Sequence, residues 1–112
     1  MLTIDKLNEL GANTAEGLQR CLNDEGFYLG LVPSALEKAR YEELDQRIKA
    51  KDLDGAFETA HALKGILANL SLTPLFDVVN EITELLRSKT DTDYSGLVDK
   101  MWEQWNKFAA LL

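Results

Sequence analysis

His61 is the only histidine in 112 residues, and it lies inside an apolar-periodic run from Leu53 to Leu70. An imidazole is nucleophilic and substantially unprotonated near neutral pH, so an exposed one can accept a transferred group. On a helix at about 100° per residue, Ala56, Ala60, Leu63, Leu67 and Leu70 fall on one stripe. His61 then points roughly 130° away from the centre of that stripe, towards water. Gly65 follows one turn later and Ala68 one turn beyond it, so the neighbours on that side are small. Glycine inside a helix costs about 1 kcal/mol relative to alanine. Its presence beside the only histidine suits a group that must approach closely. Lys64, three residues from His61, can bring its ammonium near the ring and suits a phosphoryl oxygen. The residues present one imidazole in a clearing, with one cation beside it.

Other chemistries lack their residues. A metal site needs several His or Cys ligands at defined spacing, and the chain has one of each, Cys21 and His61. No activated nucleophile with an oxyanion hole is marked, and Gly11, Gly17, Gly26 and Gly30 are scattered rather than gathered in a phosphate loop. Cys21 has no partner for an internal disulfide, and reads as a small buried side chain in a reducing compartment.

The elements that must hold His61 are helical, because no segment alternates with period two. Leu2 to Leu10 forms a short helix or capping turn ending at Gly11. Asn13 or Thr14 caps a second, with Leu18, Cys21 and Leu22 facing inward. After Asp24, the apolar residues Phe27, Tyr28, Leu31, Val32, Ala35, Leu36 and Ala39 recur at helical spacing, with Phe27 and Tyr28 expected in the core. Pro33 predicts a break near Leu31 and Val32, with the proline starting a second segment. A polar helix over Arg40–Lys51 follows, and Asp52 caps the His61 helix. Thr73 caps the next, Pro74 opens it, and its stripe runs to about Ser88. After a polar turn at Thr90–Asp93, a stripe containing Trp102, Trp105 and Phe108 forms the last helix, with the two tryptophans as core. The set predicts an all-α fold, an antiparallel up-down four-helix bundle with N-terminal accessory helices over about 1–39, in a single domain spanning 1–112.

Composition narrows the partners. Nineteen acidic against twelve basic residues give a net charge of −7, which disfavours nucleic acid, whose phosphates need Lys and Arg. No secretory-type N-terminus or long apolar run is present, so a cytoplasmic protein with no membrane role is expected, and a monomer.

His61-Ala62-Leu63-Lys64-Gly65 resembles the H-x-L-K-G signature of histidine phosphotransfer (HPt) domains, and Asp52 to Leu72 resembles that family's central helix. The family's G-N-L-G segment is replaced by Ala68-Asn69-Leu70-Ser71. The resemblance implies a phosphoryl carrier of a two-component phosphorelay rather than a turnover enzyme. His61 would accept the phosphoryl group through Nε2 from a receiver-domain aspartyl phosphate and pass it to another receiver. Lys64 would stabilise the phosphoryl oxygens and Gly65 would admit the partner. Ala68 with Asp54, Phe57 and Glu58 would form part of the docking rim. Response-regulator receiver domains are the implied partners, with a hybrid sensor histidine kinase a further one. The chain itself would bind no cofactor, and Mg²⁺ would sit on the receiver. The alternative is an HPt-like adaptor that binds a receiver or kinase without phosphotransfer.

Overall fold

Four of the seven helices begin where a short polar side chain can satisfy an otherwise unpaired first-turn N–H. Thr3 accepts from Lys6 N–H (3.1 Å), Asn13 from Glu16 N–H (3.3 Å), Asp24 from Phe27 N–H (3.1 Å) and Asp52 from Gly55 N–H (3.1 Å). These open α1 (Ile4–Glu9), α2 (Thr14–Arg20), α3 (Glu25–Ala35) and α5 (Leu53–Leu70). The computed structural model describes all 112 residues, and α4 (Lys38–Lys49), α6 (Thr73–Arg87) and α7 (Ser95–Ala109) complete an all-helical chain without strands.

Two expected boundaries move. Helix α3 does not break before Pro33 but runs through it to Ala35. The proline lies in the last turn, where its missing N–H costs a single helical bond, and Leu36 N–H closes the end on Val32 C=O and Pro33 C=O (3.1 and 3.2 Å). The reversal falls at Leu36 and Glu37 instead, and α4 starts at Lys38 rather than Arg40. Thr73 is not a cap. Leu72 holds that position, while Thr73 lies in the first turn of α6 with its hydroxyl donating to Ser71 C=O (3.2 Å).

The buried residues form one cluster drawn from Leu7 to Phe108. Helix α5 contributes the five residues of its predicted stripe, Ala56, Ala60, Leu63, Leu67 and Leu70. It packs between α4 and α6, and α6 packs in turn on α7. Lys64 meets Glu84, and Lys89 meets Asp54, so α5 and α6 run in opposite directions. Tyr41 of α4 lies 6.3 Å, centroid to centroid, from both Trp102 and Trp105 of α7. The two indoles are half-buried, and each N–H is satisfied, by Asp45 Oδ2 and Leu36 C=O respectively (3.0 Å each).

Helices α2 and α3 lean on the C-terminal end of α5. Tyr28 is fully buried and its hydroxyl donates to Leu70 C=O (2.7 Å). Gly17 allows this approach, because a Cβ there would stand 2.6 Å from the Tyr28 ring and 2.8 Å from that same carbonyl. Cys21 is buried as expected, whereas Leu22 and Phe27 are not in the core: they are 88% and 55% exposed. Leu22 lies in the reversal after α2 at φ +57°, which turns its side chain off the helical face that carries Cys21.

Candidate functional site

Burying Ala56, Ala60, Leu63, Leu67 and Leu70 against the core forces the other face of α5 outward, and His61 with it. His61, Glu58, Ala62, Gly65 and Asn69 are all exposed on that helix. At Gly65 a Cβ would meet no atom within 4 Å, so nothing inside the chain requires a glycine there. The space beside the imidazole is open to whatever approaches from solvent.

The ring is not free on every side. Phe57, one turn before it, stacks against His61 with centroids 5.6 Å apart and planes inclined by 19°. Phe57 is half-buried and rests on the core. Its ring also carries the Arg87 guanidinium, whose carbon lies 5.1 Å from the ring centroid. Arg87 comes from the last turn of α6, which brings a second cation to this face.

Lys64 is already engaged. Its ammonium reaches across to α6 and pairs with Glu84 Oε1 at 3.1 Å. Glu84 Oε2 accepts from Arg87 Nε at 3.3 Å, so one carboxylate holds both cations. The hydrogen bond from Lys64, with Arg87 adding to it, holds the Glu84 carboxyl below the ordinary range. At the N-terminal end of the face, Lys89 stands 3.6 Å from Asp54. At the other end, Arg20 reaches from α2 to Ala68 C=O (2.9 Å) and to the Ser71 hydroxyl (2.7 Å).

Glu84, Arg87 and Arg20 did not emerge from the sequence as parts of this face. The Glu84–Arg87 spacing of three marks a helical pair, yet only the register of α6 on α5 brings it to Lys64. A groove of about 720 Å³ lies elsewhere, between the C-terminal half of α4 and the start of α7, and His61 does not line it. The imidazole is exposed, accessible to a macromolecular partner. Nowhere do three His, Cys, Asp or Glu side chains converge as metal ligands would.

No curated protein and no solved structure matches the chain. A family model does. The Hpt domain matches residues 36–111, which run from the reversal before α4 to just beyond the end of α7 and contain His61, Lys64 and Gly65. Helices α1 to α3 precede the matched region. Domains of this kind serve histidine phosphotransfer in phosphorelays, where they interact with response-regulator receiver domains and carry phosphoryl groups rather than catalyse turnover. The chain belongs to the Hpt domain family.

Proposed function

We propose that His61 accepts a phosphoryl group from the aspartyl phosphate of a receiver domain and hands it to the aspartate of another. The observation that carries this is the position of the sole histidine: exposed, beside an open Gly65, and inside the matched region. The lone pair of Nε2 attacks phosphorus as the P–O bond to the aspartate breaks. The N–P bond forms, the carboxylate leaves, and the imidazolium proton passes to solvent. Such transfer needs in-line geometry and neutralised charge more than covalent machinery from the carrier. Lys64 supplies charge by exchanging Glu84 for a phosphoryl oxygen, and Gly65 leaves room for the receiver. Ala68, Asp54 and Glu58 contribute to the docking rim. Mg²⁺ belongs to the receiver in this scheme, and the chain adds no cofactor of its own. The up-down four-helix arrangement is the scaffold it assumes, with α1 to α3 part of the same unit through the shared core. A cytoplasmic monomer fits it, and no helix is long and apolar enough to cross a membrane.

Incubation with phosphoramidate or with a phosphorylated receiver, followed by intact mass, tests the assignment. The expected result is one added phosphoryl group, labile in acid, stable in base and absent from His61→Gln. No adduct from either donor, with helix content intact, would overturn it in favour of a receiver-binding adaptor.

A further inference from the structure

We infer that Phe57 is a positioning residue for the His61 imidazole, holding the ring by one face so that its edge nitrogens stay free to react. The inference rests on His61 as the phosphoacceptor. What the chain offers this ring is an aromatic face, 5.6 Å away and within 19° of parallel. The nucleophilic lone pair of an imidazole lies in the ring plane. A partner on the face therefore restrains the ring without covering the atom that attacks, whereas a bulky neighbour at the edge would block it.

Phe57 is itself held. It is half-buried against the core, and the Arg87 guanidinium lies 5.1 Å from its centroid. Arg87 is pinned to Glu84 at 3.3 Å, and Glu84 to Lys64 at 3.1 Å. The contacts form a circuit across α5 and α6 that returns to the helix one turn from His61. An exposed histidine otherwise samples several χ1 wells and a broad χ2. In-line attack requires one direction of the lone pair, so narrowing the ring to one orientation before the donor arrives removes an ordering cost from the transfer step.

Phe57→Leu, Phe57→Tyr and the parent chain, compared by NMR of the His61 ring protons and by phosphorylation kinetics, test this. Phosphoramidate is the informative donor, because its small size takes receiver docking out of the rate. In the parent the ring protons should be shifted upfield by the Phe57 ring current. Phe57→Leu should abolish that shift and slow phosphorylation by phosphoramidate about three- to tenfold, the range expected for losing one aromatic pair. Phe57→Tyr should restore both. Phe57→Met carries the same expectations as Phe57→Leu should the leucine variant fail to fold. Unshifted ring protons in the parent would overturn the inference. So would an unchanged phosphoramidate rate in Phe57→Leu, or a loss seen only with a phosphorylated receiver, which would make Phe57 a docking contact. A parent chain that shows the ring-current shift yet takes no phosphoryl group from either donor would remove the phosphoacceptor assignment, and the positioning role with it.

Discussion

Gly65 stands deep in α5 where the chain has no steric use for it, since an added Cβ would touch nothing within 4 Å. Gly65→Ala should therefore stabilise the fold by roughly 0.5–1 kcal/mol, the usual helix-interior difference, and raise Tm by a few degrees in a thermal melt. Lower stability would mean that the glycine serves the helix rather than an approaching partner. A larger side chain at the same position should slow transfer from a receiver while leaving stability near that of the parent. The pairing of Lys64 with Glu84 is testable by titration. Because the folded carboxyl of Glu84 is depressed below its ordinary 4.5, its ion pairs are intact above that pH and are lost as pH falls through the depressed value. NMR titration of the Glu84 carboxyl should show a midpoint below 4.5. A midpoint at or above it would mean that Lys64 and Arg87 do not hold it in solution. Exposure of His61 was readable from the 3.6-residue period alone. The partner of Lys64 was not, because it lies twenty residues away on another helix.

At the scale of the element, α5 ends as few helices with a serine do. Ser71 adopts the left-handed conformation (φ 52°, ψ 41°) that favours glycine, and its N–H closes the helix on Ala68 C=O. The family's customary glycine at this turn avoids a strain of about 1 kcal/mol. Ser71 offsets it with a side-chain hydrogen bond: Arg20 donates to its hydroxyl at 2.7 Å and to Ala68 C=O beside it. A hydrogen bond to a charged donor is worth about 1.5–3 kcal/mol. Chemical denaturation should therefore find Ser71→Gly within about 1 kcal/mol of the parent, and Ser71→Ala, which keeps the strain and loses the bond, about 1–3 kcal/mol less stable. Equal losses in the two variants would remove the compensation. The departure from the glycine pattern was visible in the sequence, and its remedy was not. The same scale explains Pro33: a proline disrupts a helix least where few turns remain, and α3 ends two residues after it.

For the whole molecule, the question is how α1 to α3, outside the family match, are joined to the matched helices. Tyr28 is one link, buried in the core with its hydroxyl on the last carbonyl of α5. Burial, with the nearby Cys21 adding to it, pushes its pKa up from 10.0 to about 12, and burial also raises that of Tyr41. A raised folded value means that the folded chain holds its proton where the unfolded chain has lost it. The contribution is complete below pH 10 and disappears as pH rises through the folded value. Stability should thus fall steeply above about pH 10, and less steeply in Tyr28→Phe, where only Tyr41 and Tyr94 remain with raised values. At pH 7, Tyr28→Phe should cost about 1–2 kcal/mol for the unpaired Leu70 carbonyl, measured by denaturant unfolding. An alkaline profile unchanged by the substitution would detach Tyr28 from that link.

By itself, the sequence determined the all-helical class, the buried stripe of α5, the outward direction of His61 and the family signature around it, because each depends on spacing within one helix. The tertiary structure decided that Arg87 lies over Phe57, that Lys64 faces Glu84, and that Leu22 and Phe27 lie outside the core. It also decided that Arg20 holds the end of α5. Those outcomes depend on how one helix is rotated and set in register against another, which follows from packing side chains of α2 through α7 together. A period along a single chain carries no record of that rotation.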